Sequence, residues 1–213
     1  MAATVLKMRR TQEERSASTR ARLLEATVEC LLERGYAGTT TTEIAGRAGL
    51  SRGAQLHHFP TKAELVITAV EYLADRRHAE FVAAFARLPA GTDRAGAAID
   101  LLWPILSGPT FYAWLELVVA ARTDPELRVS VTGAAGRVID KVVQTFRTLF
   151  PAAESGALPP DLPPKFAFAL LNGMALEKIL KPDDPDLPRL LDVLKALARL
   201  VQVPASRSSE GGS

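Results

Sequence analysis

Apolar residues recur at helical spacing along most of this chain, and β-branched alternation with period two never extends beyond short fragments. The pattern predicts an all-α protein of about nine helices. Residues 1–17 are polar and basic, with Lys7, Arg9, Arg10 and Arg15, and read as a flexible arm. A first helix is predicted from Ser18 to Arg34, with Leu24, Val28, Leu31 and Leu32 on one buried stripe and Gly35 as its stop. Thr40-x-x-Glu43 is a capping box: the hydroxyl takes the third amide and the carboxylate reaches back. It opens a short helix that runs to Ala48 and ends at Gly49. Ser51 caps a second short helix over 52–58, which Pro60 breaks. Thr61-x-x-Glu64 opens a long helix from Lys62 to Leu88.

Further on, Pro89-Ala90-Gly91, Ser107-Gly108-Pro109, Asp124-Pro125 and five prolines within 151–164 act as breaks. They delimit helices over 93–106, 110–122, 125–150, 165–180 and 186–201. Pro104 is expected to kink the end of its helix, and Gly133 and Gly136 to weaken the middle of theirs. Residues 204–213, rich in Ser and Gly, read as a disordered tail.

Composition narrows the function. The chain has 213 residues, 47% hydrophobic and 23% charged, which excludes wholesale disorder and allows one domain or two small ones. The formal net charge of +2 hides an asymmetry. Residues 1–62 hold 10 Lys/Arg against 6 Asp/Glu, a net of +4, and the remainder carries −2. One end of the molecule is thereby expected to face an anion. The single cysteine, Cys30, sits in a helical pattern and reads as a buried thiol; no disulfide framework or Cys-rich metal site follows from it. Apolar runs such as 117–121 fall far short of the roughly 18–20 residues that span a bilayer. Residues 1–10 lack the apolar centre of a secretory signal, so the expected location is the cytoplasm, with no membrane partner. G-x-S-x-G, H-E-x-x-H and Gly-rich phosphate loops are missing, and neighbouring His57 and His58 diverge by about 100° on a helix. The expectation is a protein that is not an enzyme and uses no metal or cofactor.

The informative stretch is 40–62. Two short helices joined by a tight, Gly-containing turn form the helix-turn-helix pattern. Ile44 and Ala45 face inward, Gly49 permits the turn's positive φ, and Ser51 leaves free amides at the start of the second helix. Such a helix fits the major groove. The candidate DNA-binding residues are Arg52, Gly53, Ala54 and Gln55 towards the bases, Ser51 as the cap that turns the helix N-terminus to phosphate, and His57, His58 and Lys62 on flanking phosphates. The hydroxyls of Thr40, Thr41 and Thr42 add phosphate donors from the first helix of the pair.

At this point Ser18 to Arg77 resembles the DNA-binding domain of the tetracycline-repressor (TetR) family of bacterial regulators. The matching residues are Arg22-x-Leu24-x-Ala26-Thr27, Glu33-Arg34-Gly35-Tyr36, Thr40-x-x-Glu43-Ile44-Ala45-x-x-Ala48-Gly49, Ser51-Arg52-Gly53 and His57-His58-Phe59-Pro60-x-Lys62-x-x-Leu65. The resemblance implies a homodimer in which a three-helix head over 18–77 joins, through the helix at 62–88, a ligand-binding and dimerisation body over 78–203. One departure stands out. The family usually has an aliphatic residue at 55 and a phosphate-touching Tyr at 56, where this chain has Gln55 and Leu56. Periodicity turns Leu56 inward with Phe59 and leaves Gln55 at the boundary, either reading DNA or packing on the core.

In the body, Trp103, Phe111, Trp114, Phe146 and Phe168, with the polar Glu116 and Asn172, are the candidate effector-binding residues. Leu170, Leu171, Met174, Leu187, Leu190, Leu191, Leu194, Leu197 and Val201 are the candidate dimer interface, two helices from each subunit making a four-helix bundle. The expected function is a repressor released from a palindromic double-stranded DNA operator by a small, largely apolar effector. The competing expectation is a helical small-molecule-binding protein or enzyme with a vestigial DNA-binding head.

Overall fold

The computed structural model describes residues 12–151 and 158–202, apart from the side chains of 201 and 202. The arm's first eleven positions, part of the Pro-rich stretch, the tail and the Val201 side chain therefore lie outside the described residues. Nine helices and no strand occur among the described residues: α1 (Gln12–Gly38), α2 (Thr41–Arg47), α3 (Arg52–His58), α4 (Lys62–Ala86), α5 (Arg94–Leu106), α6 (Pro109–Ala121), α7 (Pro125–Leu149), α8 (Leu162–Leu180) and α9 (Asp186–Gln202). The all-α expectation holds.

Two boundaries move for physical reasons. Residues 12–17, expected in the arm, are the first turns of α1, where Glu13 and Glu14 complement the positive end of the helix. At the other end the helical backbone of α1 is broken at Gly35, as expected, with φ 66° and ψ 179°, and a short further turn reaches Gly38. Helix α8 starts at Leu162, ahead of the expected Lys165, because Pro163 and Pro164 occupy the first turn, where a missing N–H leaves no bond unmade.

The chain divides into two compact units, Met1–Tyr72 and Leu73–Ser213, and α4 runs from the first into the second. The first unit closes over Leu23, Leu24, Cys30, Ile44, Phe59 and Leu65, all buried. The expected stripe on α1 is rotated: Leu31 is buried, Val28 half-buried, and Leu32 is 42% exposed. In the second unit one cluster joins Ile99 of α5 to Leu171 and Met174 of α8 and Leu187, Leu191 and Leu194 of α9. Another gathers Phe81 and Phe85 of α4 with Ala98 of α5.

Candidate nucleic-acid interface

Helices α2 and α3 are each started by a hydroxyl. Thr40 Oγ1 accepts from the Glu43 amide at 3.2 Å, and Ser51 Oγ accepts from the Ala54 amide at 3.2 Å. The Glu43 carboxylate turns away from the cap and pairs with Arg34 Nε at 2.7 Å, so the second half of the expected box becomes an α1–α2 tie. Arg47 forms a two-pronged pair with Glu33, Nη1 to Oε1 at 2.7 Å and Nη2 to Oε2 at 2.6 Å. That hydrogen bonding holds the Glu33 carboxyl below its ordinary range and the Arg47 guanidinium above its own.

The turn between the two helices admits only glycine at one place. Gly49 has φ 62°, in the left-handed region, and a Cβ there would stand 2.9 Å from Arg22 Nη2. Arg22 uses that nitrogen to donate to the carbonyls of Ala48 and, at 3.3 Å, Gly49, which pins the turn to α1. At the far end of α3, Phe59 is fully buried under the Arg20 guanidinium, 4.5 Å from its ring centroid.

These constraints decide which side of α3 faces out. Arg52, Gly53, Leu56 and His57 are exposed; Ala54 and His58 are half-buried; Gln55 is completely buried. Two sequence expectations are corrected here. Gln55 is a core residue and not a base reader: its Nε2 donates to the Phe59 carbonyl at 2.7 Å. Leu56, expected to pack with Phe59, is 44% exposed. A helix of seven residues has one inward line, and the 55/59 pair, four apart, occupies it instead of the 56/59 pair. Lys62 is also corrected. Its ammonium donates to the Tyr36 carbonyl at 2.6 Å and lies 4.2 Å from the Tyr36 ring centroid, and burial lowers its pKa, so it braces α4 on α1 instead of standing ready for phosphate.

Most of the positive charge described in the first unit is therefore used internally, by Arg20, Arg22, Arg34, Arg47 and Lys62. Arg52 is exposed and has no hydrogen-bond or ion-pair partner among the described residues. Ser51, Gly53, His57 and Thr42 are exposed as well; Thr41 is half-buried, and Thr40 Oγ1 is engaged as the cap. Burial, then His57 and Arg20, push the His58 pKa down, so at neutral pH it offers an uncharged imidazole.

The buried Gln55 leaves one visible cost. Its Oε1 is the one buried side-chain acceptor without a partner among the described residues. Gln55→Leu removes that orphan while keeping the volume, but it also takes the donor away from the buried Phe59 carbonyl, so the net expectation is a loss of about 1–3 kcal/mol. Thermal unfolding and DNA binding check it together: an unchanged melting temperature, or an altered sequence preference in the folded variant, would contradict the core assignment.

Among the candidate effector-binding residues, Phe111 is buried in α6. The half-buried Phe146 lies 5.2 Å from Phe150, whose ring is 5.5 Å from Phe85. A hollow of about 370 Å³ beside the α8–α9 connection is lined by Trp103, Lys178, Leu187 and Leu191 among others, and of the expected set it takes Trp103 alone. Trp114 and Phe168 are half-buried. Asn172 donates to the Phe168 carbonyl of its own helix at 2.6 Å, and Glu116 is on an exposed face.

The candidate dimer residues separate into two groups. Leu171, Met174, Leu187, Leu191 and Leu194 belong to the protomer's own core, with Leu170 packed against them, so their assignment to the interface is corrected. A wide apolar stripe serves two neighbours, and this half of α9 faces α5 and α8. Leu190 and Leu197 remain exposed, joined by Val193 and Leu200 at alternating spacings of three and four. On α8, Phe166, Ala169, Gly173, Leu176 and Leu180 repeat that alternation and are also exposed. Val193, Leu200, Phe166 and Leu180 were not among the sequence candidates; their heptad spacing was the signal available.

A model of bacterial regulatory proteins of the tetR family matches residues 23–69, and a model of the C-terminal part of BetI-type transcriptional repressors matches residues 108–202. The chain is similar to an uncharacterised HTH-type transcriptional regulator of Mycobacterium tuberculosis, 36% identical over 148 residues that cover 70% of this chain and 75% of that one. It is similar to the HTH-type transcriptional regulator TtgR of Pseudomonas putida, 30% identical over 200 residues that cover 84% of this chain and 89% of the relative. Among solved structures, the transcriptional regulator FadR from Bacillus subtilis, in complex with stearoyl-CoA, superposes with a TM-score of 0.62 at 16% identity, over 87% of this chain and 99% of that one.

Proposed function

The chain belongs to the tetR family of bacterial regulatory proteins, a helix-turn-helix family of transcriptional regulators, and from that premise we propose that it is a dimeric repressor released from a palindromic operator by a small, largely apolar effector. The observation that carries the reading is the outward face of α3. Arg52 is exposed and uncommitted on a helix whose opposite side is anchored by Gln55 and the adjoining Phe59. Such a face can enter the major groove, with Arg52 on guanine or phosphate. Ser51, Gly53, Ala54, His57, His58 and Thr42 complete the proposed contact surface, with Thr40 and Thr41 beside it. The head is assigned to residues 18–77 and the body to 78–203.

The exposed heptad faces of α8 and α9 support a four-helix bundle between two copies. Two-fold symmetry would then set two α3 helices on one face of the duplex, about one helical turn apart. The match to BetI-type repressors favours repression. The FadR neighbour, which holds stearoyl-CoA, favours an effector with apolar bulk. Helix α4, running from one unit into the other, is the element through which an effector would shift the spacing of the heads. The coupling between the two ligands is expected to be about 1–3 kcal/mol and reciprocal.

Selection from random-sequence duplex DNA tests the reading. The expected outcome is an enriched inverted repeat with half-sites about 10 bp apart, centre to centre, or a multiple of that. Failure to enrich any sequence at low salt would overturn it.

A further inference from the structure

The exposed face of α3 contains a side chain that neither phosphate nor a hydrogen-bonding base edge can satisfy. Leu56 lies one helical turn beyond Arg52, next to His57, and is 44% exposed although the same helix buries a glutamine. Its neighbour one turn back is Gly53. A Cβ built there would meet nothing closer than Ser51 Oγ at 3.9 Å, so the fold itself does not demand glycine at that position. Glycine inside a helix, with room for a side chain, weakens the helix and clears the ground beside Leu56 for close approach from outside. The result is an apolar side chain standing on a cleared, otherwise polar face, continuous with Arg52.

In the major groove the apolar feature of a base edge is the thymine 5-methyl group. We propose that Leu56 is a specificity-determining residue that contacts the 5-methyl of one thymine in each half-site. The proposal rests on the reading of α3 as the groove-inserted helix, and it adds a named base to that reading. A methyl buried against Leu56 is worth a factor of about four in affinity per half-site, from about 0.8 kcal/mol per buried carbon. Two equivalent half-sites then give about an order of magnitude.

The test uses the DNA enriched by the full-length protein. Each thymine of the half-site is replaced in turn, in both halves, by deoxyuridine, which removes only the methyl. Affinities are measured by fluorescence anisotropy for the unaltered protein and for Leu56→Ala. The expected result is one position at which deoxyuridine weakens binding about tenfold for the unaltered protein and leaves Leu56→Ala unaffected. Equal losses for both proteins at every position, or an enriched half-site without thymine, would overturn the assignment of Leu56 while leaving α3 as the reading helix. Failure to enrich any DNA would overturn both. Should Leu56→Ala not fold, the series on the unaltered protein still decides, because a site indifferent to every methyl refutes the contact.

Discussion

Val193→Asp combined with Leu197→Asp is expected to convert the protein to a monomer and to cut operator affinity by two orders of magnitude or more. Both residues lie on the exposed apolar face of α9, with Leu190 and Leu200, and none of the four belongs to the core cluster of the protomer. The monomer should therefore keep its fold. In a bundle of two copies the same positions are buried, and an unpaired carboxylate there costs several kcal/mol per site. Splitting the dimer removes the link between two half-site contacts, and such links are worth about 10²–10⁴ in affinity. Sedimentation measures the mass and anisotropy the binding. A doubly substituted protein that stays dimeric and binds normally would place the interface elsewhere. Leu171→Asp is the informative contrast: that residue is fully buried in the protomer core, so its substitution should unfold the body.

The second large effect is expected from Arg52→Ala. Arg52 is exposed and has no partner among the described residues, so its removal should change the unfolding free energy by no more than about 0.5 kcal/mol. Binding is different. An arginine on guanine or phosphate is worth about 1–3 kcal/mol, and the dimer loses two of them. The expected loss is about 30-fold to about 2 × 10⁴-fold at constant salt. The salt dependence identifies the partner: two lost phosphate contacts lower the slope by about 1.8, whereas two lost guanine contacts leave it close to unchanged and relax one operator position. Unchanged affinity would remove Arg52 from the interface and the proposed function with it.

Much of this architecture was legible because local rules and the tertiary fold agree. The caps at Thr40 and Ser51 and the glycine at 49 specify α2, the turn and α3 without reference to the rest of the chain. What sequence reasoning missed was rotation about helix axes. On α3 the choice between Gln55 and Leu56 as the buried residue depends on where Phe59 and Arg20 meet, a tertiary fact that a seven-residue pattern cannot contain. On α9 the apolar stripe spans both the protomer core and the exposed seam, so periodicity alone could not divide Leu191 and Leu194 from Leu190 and Leu197. Lys62 shows the same limit for charge. A basic residue next to a recognition helix reads as a phosphate ligand until the Tyr36 carbonyl is seen to hold it. The net +4 of residues 1–62 points to an anion-facing end, yet most of the described charge there is engaged within the fold, and Arg52 is exposed without a partner among the described residues.

Sequence discrimination by the head is measured by an anisotropy titration of the whole chain on the enriched duplex and on a shuffled duplex of the same composition, from about 50 to 200 mM salt. Binding to the enriched duplex is expected to be at least about 10³ tighter at every salt concentration, with both affinities falling as salt rises. Equal affinity for the two duplexes would contradict the account, because a fold that holds DNA only through phosphates has no use for the outward face of α3.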